Sequence, residues 1–303
     1  MQLNRTGSCA LLALTALIWG AAFVAQSVGM DYVEPFTFNA VRSVLGGAVL
    51  VPLVIYRRRS SGRAAAGGGR AMWVGGILCG VALCVASCLQ QFGIAQTTVG
   101  KAGFITALYI VIVPLLGIFV GKRVRAAVWL SVLIAVAGMY LLCINESFSI
   151  GTGDALIMLC ALAFSLHILI IDYFSPRADG VALSCIQFFT CGILSGAGMF
   201  LFESPSLDAI FSAWASILYA GVMSCGVAYT LQIVAQKNVN PVVASLILSL
   251  ESVFSVLSGW VILGEALSPR ELTGGALVFA AILLAQLPER KKASGDLRER
   301  ASN

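Results

Sequence analysis

Apolar positions along this chain gather into ten stretches of roughly 18–25 residues, with short polar joints between them, and together they fill almost all of its 303 residues. An α-helix of that length is what a bilayer's ~30 Å hydrocarbon core requires. The pattern predicts spans over residues 8–29, 36–56, 71–95, 99–121, 126–145, 151–173, 181–202, 209–235, 242–263 and 269–287. Breakers and charges set the joints: Asp31 to Pro35, Arg57 to Arg70, Asn145 to Asp154, Pro176 to Gly180, Glu203 to Asp208, Asn238 to Pro241 and Gly264 to Arg270. Membrane-barrel strands alternate over about ten residues, so stretches this long and this uniformly apolar read as helices. The first stretch has a basic flank at Arg5 but continues to Val28, beyond the core of a cleaved signal peptide.

Composition leaves no room for a water-soluble domain. Hydrophobic residues make up 59% of the chain and charged residues 11%, with a mean hydropathy of +0.94; soluble domains have about 45–50% and ~25%. Charge then orders the joints. With the N-terminus in the cytoplasm, sixteen Lys and Arg residues fall on inner segments, among them Arg5, Arg57, Arg58, Arg59, Lys122, Arg123, Arg177 and Lys237. Lys101 and Arg270 fall outside, and Arg42 lies within a span. That bias follows the positive-inside rule and predicts a multi-pass protein of the cytoplasmic membrane with both termini inside. The net charge of +5 follows from the same bias and does not point to nucleic acid. The Arg57–Arg70 joint is interrupted by Gly and Ala and carries no aromatics, so it reads as a flexible loop against anionic headgroups. Residues 289–303 read as a disordered cytoplasmic tail.

The chain also repeats itself weakly. Gln90-Gln91 precede Ala95-Gln96 near the end of the third span, as Gln232 precedes Ala235-Gln236 near the end of the eighth. Ala102 to Val124 runs parallel to Ser245 to Leu267, which sets Gly121 opposite Gly264. Five spans per half is an odd number, so the second half enters the membrane from the other side. Lys122-Arg123 after Gly121 and Glu265-Ala266 after Gly264 agree with that. The expected fold is all-α and integral to the membrane: ten transmembrane helices in two inverted five-helix repeats, residues 1–145 and 146–288, around a central cavity. Inverted repeats are the signature of secondary transporters.

Several segments carry a family likeness. Trp19-Gly20-Ala21-Ala22-Phe23-Val24 and Pro35-Phe36-Thr37-Phe38-Asn39-Ala40-Val41-Arg42 resemble the first two helices of the EamA-type drug/metabolite transporters. So do Ala107 to Leu116 with Gly121-Lys122-Arg123, and Ser249 to Phe254 with Leu263 to Leu267. The resemblance covers about residues 8–287. Lys122 departs from it where a glutamate is usual, and Ser252 where a proline is common. It implies a ten-helix basket whose cavity is lined mainly by helices 1, 3, 4, 6, 8 and 9, with helices 5 and 10 peripheral. It also implies export of amino acids and related metabolites, or carriage of small organic solutes, without ATP.

Polar residues inside spans are the candidate chemistry, since a charge at mid-helix costs about 2.5–3.5 kcal/mol on insertion scales. Glu251 sits near the middle of the ninth span. It reads either as a protonatable or cation-pairing group coupled to transport or as a hydrogen-bonded structural acid. His167, the sole histidine, lies on a helix that the resemblance sets against the cavity. Arg42 shares a face with Asn39 and is placed either to snorkel to the outer headgroups or to pair with Asp31 or Glu34. Trp19 and Gln26 share a face of the first helix, Ser184 and Gln187 one of the seventh, and Gln232 and Gln236 one of the eighth. With Gln91, Tyr109 and Tyr229 they form an aromatic–amide lining suited to a small polar organic substrate. For any one of them alone, a hydrogen bond between helices is an equal account.

The remaining features exclude more than they assign. The nine cysteines include no CxxC pair and read as small apolar fillers, and one histidine offers no metal-ligand set. No cofactor is implied. Gly76-Gly80, Gly117-Gly121, Gly192-Gly196 and Ser255-Gly259 are small-xxx-small pairs for close helix approach. No GxxxxGK[ST] stretch for ATP occurs, and residues 8–29 lack the acid of the small multidrug-type mechanism. The expected function is therefore secondary transport by alternating access, driven by a proton or other ion gradient or by the substrate gradient alone, and not enzymatic. The rivals are a lipid scramblase or flippase and a membrane-embedded enzyme acting on lipid.

Overall fold

The computed structural model describes residues 4–60, 69–97, 99–119, 121, 124, 126–143, 151–263 and 268–286. The Lys122-Arg123 and Gly264–Leu267 segments, residues 144–150, most of the Arg57–Arg70 joint, the side chain of Lys101 and the tail fall outside them. Among the described residues every regular element is helical: α1 (Arg5–Gly29), α2 (Pro35–Ser60), α3 (Gly69–Ile94), α4 (Val99–Thr106), α5 (Tyr109–Phe119), α6 (Ala126–Cys143), α7 (Thr152–Phe174), α8 (Gly180–Phe202), α9 (Leu207–Ser212), α10 (Trp214–Leu218), a π-helical stretch (Tyr219–Tyr229), α11 (Thr230–Gln236), α12 (Pro241–Leu248), α13 (Leu250–Leu263) and α14 (Pro269–Gln286).

Among the described residues, eight helical segments are long and apolar enough to cross a membrane, where the hydrophobic pattern predicts ten. The fifth and tenth are represented by shorter apolar helices, Ala126–Leu141 and Leu272–Ala285. Large apolar side chains such as Phe119, Ile193, Phe200, Leu201 and Val261 stand exposed on the outside. In water such a surface would drive aggregation; hydrocarbon suits it. The chain is a multi-pass membrane protein.

The joints show how the helices start. Asn4 caps α1 through Oδ1, which accepts from Gly7 N at 2.7 Å. Asp179 caps α8, and Asn240 caps α12 ahead of Pro241. The free amides of Phe36 and Thr37 at the start of α2 both donate to the carboxylate of Glu203, each at 2.7 Å, so the end of α8 caps α2. On the same end of the bundle Thr97 Oγ1 donates to Asp154 Oδ1 at 2.6 Å. On the other end Arg57 pairs with Asp179 at 3.2 Å, Lys237 Nζ donates to Ala178 O, and Asn238 Nδ2 donates to Ser8 Oγ.

Small residues set the packing distances. A Cβ on Gly76 would stand 2.6 Å from Ile186, and one on Gly80 2.5 Å from Thr190, so α3 lies directly on α8. Gly20 brings α1 onto α13: its Cβ would meet Phe254 Cβ at 2.4 Å and Ser255 N at 2.8 Å. Gly138 lets α6 lie on the backbone of α14 at Gly274. Gly196 and Gly121 face open space, so the spacing rule selects partners in some pairs and not in others.

Two of the long segments are broken in mid-course, which an unbroken apolar run does not reveal. The fourth breaks at Ala107-Leu108, where Leu108 N bonds Ile105 O in a tighter turn. Pro114, further along, leaves the Ile110 carbonyl without its amide. The ninth breaks at Ser249 with no proline nearby. There Ser245, Ser249, Ser252 and Ser255 each donate a hydroxyl to the carbonyl three residues earlier. Such back-bonding competes with the helical ladder and bends it. The hydroxyl bonds cluster at this break, which falls at Ser249, three residues before Ser252.

Candidate functional site

The two breaks face each other across a central cavity of about 40 Å³, room for about three or four water molecules at roughly 10–15 Å³ each. Thr106 and Tyr109 flank the first break, Leu248 and Glu251 the second, and all four line the cavity. Tyr109 Oη donates to Glu251 Oε1 at 2.9 Å, so one hydrogen bond joins the two interrupted helices. Broken helices leave amides and carbonyls without intrahelical partners, and membrane transporters place binding sites at such points.

The wall opposite is aromatic. The Tyr229 ring is met by Trp19 at 4.5 Å between centroids, by Phe188 edge-on at 5.4 Å and by His167 edge-on at 5.9 Å. Tyr229 ends the π-helical stretch, whose Ser224 and Cys225 also reach the cavity; wide turns of this kind recur at functional sites. His167 is 1% exposed, with Nε2 3.1 Å from Gln187 Oε1. Trp19 Nε1 and Gln232 Oε1, on residues that line the cavity, have no hydrogen-bond partner among the described residues. A polar guest could use both.

Arg42 departs from both readings that its sequence position invited. Its side chain is 5% exposed and lines the cavity, and Nη1 donates to Gln26 Oε1 at 2.7 Å. It neither reaches the headgroup level nor pairs with Asp31 or Glu34; the ion pair seen among the described residues is Arg57–Asp179. The reason is the register of α1 on α2, which lays Gln26 beside Arg42 while Glu34 stays exposed at the helix start.

Of the other candidate residues, Trp19, Gln26, Tyr109, His167, Tyr229, Gln232 and Glu251 lie on this one cavity. Asn39, Gln91 and Gln187 lie behind its wall. Asn39 Nδ2 contacts Cys88 Sγ at 3.4 Å, in a buried group where Cys84, Cys88 and Cys191 surround Ser195 Oγ at 3.5–4.0 Å. The thiols there form weak polar contacts as well as filling space. Gln91 Nε2 donates to the carbonyl of Gln26, and Gln187 backs His167. Leu83, Ser87 and Gln90 line the cavity unanticipated. Their i, i+4, i+7 spacing puts them on one face of α3, and that phase was the available signal. Neither α6 nor α14 contributes to the lining among the described residues, and no group of three His, Cys, Asp or Glu there is placed to hold a metal.

A second, larger hollow of about 320 Å³ opens at the end of the bundle that carries Arg5, Asn238 and Asn240. Val242 and Val243 line it, and six residues along the same α12 from Val242, or about 9 Å, Leu248 lines the central cavity.

Known proteins match the chain along its length. The EamA-like transporter family matches residues 6–144 and again residues 151–287. An uncharacterized transporter of Archaeoglobus fulgidus is 31% identical over 279 residues, 91% of this chain and 84% of that protein. A WAT1-related chloroplastic protein of Arabidopsis thaliana is 24% identical, covering 89% and 67%. The uncharacterized transporter YwfM of Bacillus subtilis is 25% identical, covering 93% and 95%. A solved crystal structure superposes with a TM-score of 0.76 at 21% identity, over 98% of this chain and 99% of its own, a likeness of fold. With two family matches spanning nearly all of the membrane helices, this chain is a member of the EamA-like transporter family.

Proposed function

We propose that the protein is a secondary transporter that exports small polar organic solutes, amino acids or related metabolites, across the cytoplasmic membrane by alternating access. The observation that carries this reading is the Tyr109–Glu251 hydrogen bond, where two interrupted helices meet at a buried polar cavity. The breaks fall in corresponding regions of the Ala102–Val124 and Ser245–Leu267 segments, which supports two inverted five-helix halves, residues 1–145 and 146–288, with the fifth and tenth helices completing ten spans. The hollow beside Arg5 is then the cytoplasmic vestibule, and α12 separates it from the cargo site. Glu251 is the coupling acid, free to exchange its Tyr109 partner for a proton or for cargo as the halves rock.

The test is flux in liposomes. The purified protein should carry labelled amino acids or related solutes down an imposed solute gradient, or accumulate them when a proton gradient is imposed. Glu251→Gln should lower the initial rate at least about tenfold, the loss expected for one charge-assisted hydrogen bond. Lipid translocation without any solute flux would sink the proposal. An unaltered rate in Glu251→Gln would reduce that acid to scaffold.

A further inference from the structure

The hollow at the Arg5 end of the bundle is built unlike the central cavity. At about 320 Å³ it reaches the size of a small-ligand site, about 300–1,000 Å³. Its exposed residues are polar: Arg5, Asn238 and Asn240. Its buried ones are apolar: Val128, Val242 and Val243, with half-buried Val124 beside them. Among the described residues no acid lines it, and no carboxylate lies within ion-pair reach of Arg5. The guanidinium carries five N–H donors. Asn240 spends Oδ1 on Val242 N at 2.9 Å, which leaves its amide N–H groups as donors, and Asn238 spends one N–H on Ser8 Oγ. The rim therefore offers one positive charge and several donors, and the floor offers hydrocarbon.

We propose that this hollow seats the headgroup of an anionic phospholipid. The phosphate lies on Arg5 and the rim amides, and the glycerol rests on the valines. Guanidinium and phosphate match in two parallel N–H···O bonds. A free inorganic anion would satisfy the rim but gain nothing from the floor, where burial without polar partners costs it free energy. An uncharged chain would fill the floor and leave the guanidinium unused. An anionic phospholipid uses both, and the bilayer supplies it at the level where the bundle ends. The charge bias assigns that end to the cytoplasm, the side on which basic pockets between membrane helices hold anionic headgroups. A zwitterionic lipid has the same phosphate, but its ammonium brings a second cation to a rim that has no acid to receive it. The hollow is walled by α1 and α6 from the first family-matched segment and by α12 from the second. A lipid seated there ties the two together, so its binding stabilises the fold.

The experiment is thermal unfolding of the purified protein in mixed micelles of a neutral detergent with dioleoylphosphatidylglycerol or dioleoylphosphatidylcholine, at rising mole fraction. A ligand of the folded form raises the melting midpoint. Phosphatidylglycerol should do so at a mole fraction at least about tenfold below that needed with phosphatidylcholine. Arg5→Gln should raise the half-effective fraction of phosphatidylglycerol at least about tenfold, and Arg5→Lys should recover part of the loss. Arg58→Gln removes an exposed cation outside the hollow and should leave the curve unchanged. Inorganic phosphate alone should neither raise the midpoint nor displace the lipid. Equal stabilisation by the two lipids overturns the proposal, as does stabilisation by inorganic phosphate alone. So does an Arg5→Gln curve that matches wild type or Arg58→Gln. The two-lipid comparison uses the wild-type protein, so a variant that fails to fold cannot rescue the idea. Solute flux without lipid selectivity leaves the transporter reading standing, and lipid selectivity without flux leaves this site standing.

Discussion

Tyr229 gathers Trp19, Phe188 and His167 around one ring, while Tyr109 ties the facing wall to Glu251. These side chains act as one unit, and that has a measurable consequence. Tyr109→Phe removes the donor to a buried carboxyl and should cost about 1–3 kcal/mol of stability. Glu251→Leu removes the acceptor. Because both changes break the same bond, their effects on thermal stability should not add: the double variant should lie within about 0.5 kcal/mol of the worse single one. Additive losses in a double-mutant cycle would show that the bond does not couple the two helices. At this scale the sequence was partly legible. A polar residue inside an apolar run announces itself, as Trp19, Gln26, Arg42, His167 and Glu251 did. Its facing does not. Gln90 and Gln91 are adjacent, and consecutive helix positions point about 100° apart, so one lines the cavity while the other sits behind it.

The long helices are positioned less by their apolar content than by a few places where backbones come together. Gly20 is the sharpest of these, because α1 and α13 carry Trp19 and Glu251 to the same cavity. Gly20→Val inserts atoms where a single Cβ already stands 2.4 Å from Phe254 Cβ, with backbone at 2.7 Å behind it. The variant should be destabilised by about 1–3 kcal/mol, as overpacked sites are, and should hold the two helices apart. Cys225, buried on the cavity wall, then becomes the reporter. Its labelling by a small thiol reagent, read by mass spectrometry, should accelerate in Gly20→Val, and unchanged labelling with unchanged melting would refute the packing account. Helix existence and ends were legible from hydropathy, caps and prolines. The breaks were not, because Ala107-Leu108 and Ser249 lie in runs as apolar as any other, and at the second a set of serine hydroxyls bonds backwards to the carbonyls.

Across the whole molecule, each contact between joints described above links joints that the charge bias assigns to one side: Arg57 with Asp179 and Asn238 with Ser8 at one end, Glu203 with Phe36 and Thr37 at the other. The absolute direction rests on Lys and Arg counts, and it is testable. Reporters that function only in the cytoplasm should be active when fused at either terminus and silent when inserted after Ser204, in the joint between α8 and α9. Activity at Ser204 would invert the topology. Among the described residues the two shorter apolar helices, Ala126–Leu141 and Leu272–Ala285, pack on each other where Gly138 meets Gly274. The contracted centre has a consequence for how affinity will read. Binding cavities for small organic molecules usually span about 300–1,000 Å³, and this one holds about 40 Å³. On the alternating-access proposal, a small organic cargo needs a wider form of this cavity, and the measured dissociation constant is then the intrinsic one divided by that form's share of the population. Under that proposal, equilibrium titration of the contracted form should read weaker than the affinity of the widened site, by the factor that the widening costs.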